Sequence, residues 1–324
     1  MDSKNQFFNI ANRDRLKIFF RAKNLVKLAD ALGAPLWLYS TIITTKNWYD
    51  VVLFMMGLKR RFDARYLDGE MDSEITQRNF WFYKCRRRIK FHHLPIKQKR
   101  NFLELLWKGK NLRFFGECAA YSVEEIFFSE PYKKLSFRHK TVVDIGGNIG
   151  DSALYFSRGA KKVVAIEPYP YAFGLAKKNV KANRRENIVL VNAAVGAKRG
   201  KITLDKDYQN KPSADLKSFN QGETIPIVTL SDIAERFLVK DAVLKIDVEG
   251  GEYAILLDTP DNVLRRFEEI ILEYHHGYLD LEHKLRGAGF DVDVGSPSLG
   301  FNKEAKRKIR IVGILHAHRR NSMD

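Results

Sequence analysis

The 324-residue chain is poor in cysteine. It has two, Cys85 and Cys118, far apart and without metal-type spacing. That excludes a disulfide framework and a cysteine-built zinc site, and makes a reducing compartment the default. A long apolar run is also lacking. The most apolar stretches, residues 32–43 and 51–58, are interrupted by Lys46, Asn47 and Asp50. Neither reaches the roughly 20 residues of a membrane span, and both read as core helices. The first residues show no apolar secretory signal, and no internal repeat is visible. With 45% hydrophobic and 29% charged residues, an ordinary folded chain remains, long enough for one large or two modest domains. It is expected in the cytoplasm.

Acidic charge is locally scarce. Residues 1–140 hold 28 Lys and Arg against 14 Asp and Glu, while the rest is nearly balanced at 28 against 25, within a net charge of +17. A basic excess so placed attracts an anionic partner, either nucleic acid or an anionic membrane surface, and it equally fits a solvated face. A membrane contact would make the protein peripheral. Residues 10–31 have the spacing of a basic amphipathic helix, which could lie on a membrane or on its own protein. Residues 47–58 read as a second helix, residues 62–66 with the turn Asp68-Gly69 as a hairpin, and residues 97–107 as a helix. The densest basic run, Cys85-Arg86-Arg87-Arg88-Ile89-Lys90, is surrounded by Phe80, Trp81, Phe82 and Phe91. It fits either a nucleic-acid contact or aromatics in a core with arginines facing water.

From residue 141 the pattern alternates. Strands are expected over 141–145, 162–167, 188–193, 242–248, 269–274, 290–294 and 309–316. Helices are expected over 151–158, 171–183, 230–237, 252–257 and 281–287. This predicts an α/β domain over residues 121–318, a doubly wound, mostly parallel seven-stranded Rossmann-like sheet closed by an antiparallel strand. Residues 1–120 would form a basic, mainly helical region before it. Two short extended pieces flank a polar loop at 205–224, long enough to suggest a lid or an acceptor-binding segment.

The stretch Val142-Val143-Asp144-Ile145-Gly146-Gly147-Asn148-Ile149-Gly150-Asp151 is an apolar strand turning into a helix through glycines. A second strand ends at Glu167-Pro168, about 20 residues on, where a carboxylate can accept hydrogen bonds from ribose hydroxyls. A dinucleotide fingerprint needs G-x-G-x-x-G to seat a pyrophosphate. Here the position two after Gly146 is Asn148, and Asp144 stands where an anion would approach. A cationic head suits this loop better, which points to S-adenosylmethionine rather than NAD. Asn192-Ala193-Ala194 ends the third strand, where small residues let an adenine lie against the backbone.

Together with LVNAAVG and VLKIDVEGGEYAIL, these runs resemble the FkbM-type S-adenosylmethionine-dependent methyltransferases over roughly residues 121–317. The resemblance implies transfer of a methyl group to a hydroxyl of a sugar or other small metabolite. The donor would lie against Asp144, Gly146, Gly147, Asn148, Gly150, Glu167, Pro168, Asn192, Ala193, Ala194 and Asp247.

Lys245, Asp247 and Glu249 alternate onto one side at the end of the fourth strand, and the fifth ends in Glu273-Tyr274-His275-His276. A hydroxyl acceptor must lose its proton as it attacks, so a base within reach helps. Asp247, Glu249, Glu273 and His275 are the candidates. Asp247 is expected to orient the donor's ammonium or hold the acceptor. His275 is the preferred base because its ordinary pKa lies near neutral. Asp247, Glu273 and His275 could bind Mg²⁺ or Mn²⁺, though nothing in their spacing demands a metal. His92-His93 and His316-x-His318 have no completing ligand in the sequence. The acceptor is read as a sugar, glycolipid or small metabolite. The alternative is RNA ribose methylation with the basic N-terminal half as grip. No Asn/Asp-Pro-Pro-aromatic run follows the fourth strand, which argues against base-amino methylation.

Overall fold

A computed structural model describes residues 36–320 apart from 77–79, 92–93, 100–101, 117–118, 205–220 and 302–308. The helix expected over 10–31, the pair His92-His93, Cys118 and most of the polar loop lie outside the described residues. The chain divides into two units, Met1–Gln98 and Lys99–Asp324.

In the first unit, helices α1 (Leu36–Thr44) and α2 (Trp48–Met55) precede a hairpin of β1 (Phe62–Arg65) and β2 (Met71–Ile75). Helix α3 (Phe80–Phe91) and a short strand β3 (Ile96–Gln98) follow. Val51, Phe54, Phe62, Ala64, Tyr66, Ile75 and Tyr83 form one buried cluster. The hairpin's acids face the basic side of α3. Arg86 lies 2.9 Å from Asp72, and Lys90 pairs with Asp68 and, at 2.7 Å, with Glu70. Arg87 donates to Thr41 Oγ1 at 2.8 Å. These three members of the basic run are engaged inside their own unit.

The second unit opens with β4 (Leu103–Trp107) and β5 (Lys110–Phe114), an antiparallel pair. This corrects the helix expected over 97–107. Lys108 and Gly109 have φ 45° and 76°, the two positive values that a two-residue hairpin turn needs. Leu103, Leu105, Leu112 and Phe114 all point to the buried side, a period of two rather than 3.6. Next come α4 (Ala119–Val123), which runs on into a π-helical turn at Glu124–Phe128, then β6 (Thr141–Ile145), α5 (Asp151–Phe156) and β7 (Lys162–Ile166). They are followed by α6 (Pro170–Ala182), β8 (Ile188–Val191), β9 (Ala194–Val195), β10 (Gly200–Leu204), β11 (Glu223–Val228) and α7 (Leu230–Arg236). The remainder is β12 (Ala242–Ile246), α8 (Glu252–Leu257), α9 (Asp261–Leu264), β13 (Phe267–Tyr274), α10 (Leu279–Gly287), β14 (Phe290–Val294), β15 (Ser298–Phe301) and β16 (Ile309–Arg319).

The main sheet has the order β14-β16-β13-β12-β6-β7-β8, with β15 on β16. Strands β8, β7, β6, β12 and β13 pair in parallel, whereas β16 runs antiparallel to β13, β14 and β15. The sheet is therefore mixed and Rossmann-like. All five residues of β12 are buried, as expected of a parallel strand covered on both faces. The carboxyl ends of β6, β7, β12 and β13 meet along one edge, where ligands bind in such sheets.

Candidate active site

The donor loop is shaped by its glycines. At Gly146, φ is 81°, and a Cβ there would lie 1.8 Å from the carbonyl oxygen of Asp247. The N–H groups of Gly146 and Gly147 both donate to Ile166 O at 3.0 Å, which folds the turn onto the end of β7. Glu167 stands beside it. Its two oxygens accept the N–H groups of Asn148 and Tyr169, each at 2.8 Å. Burial pushes its carboxyl up to about 7, against the pull of those two donors. Asn192 donates to the carbonyls of Glu167 and Pro168 at 2.8 and 3.0 Å. It thus ties the ends of β7 and β8 together, and Ala193 and Ala194 lie buried behind it. A bare turn, a carboxylate at its side and small residues beyond fit a nucleoside with a ribose diol.

Asp144 lies beneath that turn. It is 0% exposed, accepts from Ser152 Oγ at 2.7 Å and lies 3.1 Å from Lys245 Nζ. Its carboxylate is held by Ser152 and Lys245 beneath the turn, a structural role beside the donor contact expected of it. Lys245 also donates to Gly146 O at 2.7 Å. Burial alone would lower its pKa, but the carboxylates of Asp144 and Asp247, with Tyr132, outweigh this and hold it above the ordinary value. Its distance to Asp247 is longer, 3.9 Å, so Asp247 is not used up by that pair and stays one-third exposed.

At the end of β13, His275 is buried between two carboxylates. Its Nε2 is 3.2 Å from Glu249 and its Nδ1 3.0 Å from Glu252. Glu252 is 0% exposed and also accepts the N–H groups of His275 and Gly250, at 2.9 and 2.8 Å. Burial would lower the imidazole pKa, but the hydrogen bonds to Glu249 and Glu252 raise it to about 10. At neutral pH the ring is an imidazolium. With both ring nitrogens engaged, His275 is better suited to a charged clamp that fixes Glu249 than to the role of base expected from its ordinary pKa. Glu252 carries no sequence signal of this role, because its partner lies 23 residues away on the next strand.

A cavity of about 240 Å³ opens next to Asp247 and Glu273, lined also by Glu125, Tyr132, Lys245 and Ile314. Glu273 is half-buried. Desolvation first, then the Asp247 carboxylate, push it up to about 7, with His275 opposing. Glu125 from the π-helical turn reaches the same cavity and is pushed up by desolvation and by Asp247 and Glu273, an effect damped by its contact with solvent. Glu125 and Tyr132 precede the first strand of the motif, where sequence reasoning had no pattern to follow. Asp247, Glu249 and His275 each present a ligand atom within 4.8 Å of the others. This group differs from the expected trio, having Glu249 in place of Glu273.

Residues 144–292 match the family model described as the methyltransferase FkbM domain. The chain carries an FkbM methyltransferase domain. The protein is therefore a methyltransferase, and its cofactor is S-adenosylmethionine. No curated protein matches the sequence. Solved structures similar to it include a precorrin-6y C5,15-methyltransferase from Geobacter metallireducens, 18% identical over 56% of this chain and 81% of that one, TM-score 0.34. An rRNA methylase from Streptococcus thermophilus is 11% identical over 60% and 96%, TM-score 0.38. TYW2 of M. jannaschii in complex with AdoMet is 14% identical over 69% and 89%, TM-score 0.38. Scores of this size leave the site to rest on the FkbM domain's own geometry.

Proposed function

We propose that the protein methylates a hydroxyl of a small neutral acceptor: a sugar, a related metabolite or the sugar of a glycolipid. The observation that carries this is the carboxylate-lined cavity beside Asp247. Its volume is below the roughly 300–1,000 Å³ of drug-sized ligand sites, and Asp247, joined by Glu125 and Glu273 to the extent that they are ionised, disfavours a phosphate on its walls. An RNA backbone meets unfavourable charge there, and the basic residues that suggested RNA lie far earlier in the sequence.

The bound cofactor supplies a methyl carbon already activated by its sulfonium, so the protein's share is position and proton handling. Glu167 is placed to accept the ribose hydroxyls, and the Gly146-Gly147 turn leaves room for close approach. Asp247 stands where the donor loop meets the cavity, with its own carbonyl against Gly146. It is suited to orient the donor's ammonium or the acceptor. Glu273 is the base: a carboxyl raised to about 7 can take up the acceptor's proton near neutral pH. The imidazolium of His275 holds the neighbouring Glu249 in place.

The test is transfer from labelled donor to separate pools of neutral sugars, glycolipids, anionic metabolites and RNA, with mass analysis of the labelled atom. Label on an oxygen of a neutral sugar or glycolipid supports the reading. Label confined to RNA overturns it in favour of the ribose reaction.

A further inference from the structure

Strands β13 and β16 run antiparallel with Glu269 opposite His318 and Ile271 opposite His316. Directly opposed residues and residues two apart share a sheet face, so Glu269, His316 and His318 project together. The two imidazole rings have centroids 4.0 Å apart. His316 Nε2 is 3.2 Å and His318 Nδ1 is 3.8 Å from the same oxygen, Glu269 Oε2. One ligand atom from each residue lies within 4.8 Å of the others. Zinc bonds of about 2.0–2.2 Å put neighbouring ligand atoms of a tetrahedron roughly 3.3 Å apart, so a small turn of the half-exposed His318 ring completes the spacing. Glu269 is 4% exposed, and its second oxygen accepts the Ser136 N–H at 3.0 Å. Such an outer hydrogen bond orients a ligating carboxylate.

We propose that Glu269, His316 and His318 form a binding site for a divalent transition-metal ion of the zinc class, with water in the fourth position. Two imidazoles and one carboxylate favour such an ion over Mg²⁺ or Ca²⁺, which prefer all-oxygen ligands. The third ligand of His316-x-His318, missing from the local sequence, is supplied by strand register. Glu273 lies two same-face positions further along β13, roughly 13 Å away at about 3.3 Å per residue, so the ion sits apart from the transfer site. It would staple β16 to β13 and, through Ser136, hold the segment that follows cavity residue Tyr132.

The experiment uses the untagged full chain stripped with a chelator and titrated with Zn²⁺, Co²⁺ and Mg²⁺ by calorimetry, thermal melting and visible absorption. One equivalent of Zn²⁺ should bind and raise the melting temperature, and Co²⁺ should give the intense visible bands of a four-coordinate site. Mg²⁺ should do neither. His318→Ala, at a half-exposed position that the fold tolerates, and His316→Ala should each weaken Zn²⁺ binding at least about tenfold. Asp247→Asn, which alters the other carboxylate–imidazole group, should leave it unchanged. The proposal is overturned by an absence of Zn²⁺ binding to the wild type, by unchanged binding in both histidine variants, or by loss in Asp247→Asn alone.

Discussion

Gly146 must meet two demands at once, a φ of 81° and a Cβ position 1.8 Å from Asp247 O. Only glycine satisfies both, and the carbonyl cannot retreat without moving the end of β12. Gly146→Ala should lose donor binding and destabilise the fold. Gly277→Ala has φ 94° and open space, so it should cost only the left-handed strain of about 1–2 kcal/mol. Denaturant unfolding and donor calorimetry on both variants check this. Glu167→Ala should weaken the donor at least tenfold, since hydrogen bonds to a charged group are worth about 1.5–3 kcal/mol each; unchanged affinity by calorimetry would remove Glu167 from the site. His275 gains stability from its clamp because its pKa rises from 6.5 to about 10 on folding. That gain is complete below 6.5 and fades as the pH climbs through 10. The stability difference between wild type and His275→Gln should therefore be largest in mild acid and shrink in alkali, as measured by unfolding across pH. Gly146 and Glu167 were legible in the sequence because a turn and a strand end are local patterns. The state of His275 was not, because it depends on Glu249 and Glu252 arriving from the preceding strand end and helix.

The strands of the main sheet were readable for a simple reason. A parallel strand buried on both faces, such as β6 or β12, is an almost unbroken apolar run. The β4–β5 hairpin escaped because its evidence lay in a Lys108-Gly109 turn, and neither residue alone distinguishes a turn from a helix surface. Register was invisible as well. Nothing local says that Glu269 faces His318, or that β16 needs a glycine where it crosses Tyr274. A Cβ at Gly313 would lie 2.3 Å from the Tyr274 hydroxyl oxygen, and Tyr274 is wholly buried. Gly313→Ala should lower the melting temperature by displacing that ring, a cost of about 1–3 kcal/mol typical of an overpacked core. A melt indistinguishable from wild type would mean the β13–β16 pairing yields easily. Helix α7 offers a milder case: its capping box joins Thr229 and Asp232, so Thr229→Ala should cost about 1 kcal/mol.

At the scale of the whole molecule, charge is segregated along the chain, and the first unit offsets part of its excess internally through the ion pairs of Arg86 and Lys90. We propose that the remaining basic charge meets an anionic membrane surface. Co-sedimentation with anionic vesicles should then weaken steeply with added salt, and no retention at low salt would leave the excess as a solvated face. The second unit concentrates carboxyls with raised pKa values around the donor loop and the cavity. Glu167 and Glu273 lie at about 7 and Asp151 at about 6, each through burial first. In the donor-free protein the folded state holds these protons more tightly than the unfolded chain, so stability should fall as pH rises from about 4 to 7. The same crowd of carboxyls is the centre of the functional account, and it is tested most directly by kcat/KM for the donor as a function of pH, which follows the ionisation of the ligand-free enzyme. Wild type should lose rate as pH falls through about 7, because the base must be unprotonated. Glu273→Gln should show a rate lower by 100-fold or more, in line with loss of a general base, without that pH limb and with donor affinity retained. Wild-type turnover and an intact limb in Glu273→Gln would contradict the assignment of the cavity carboxylate as the base for methyl transfer.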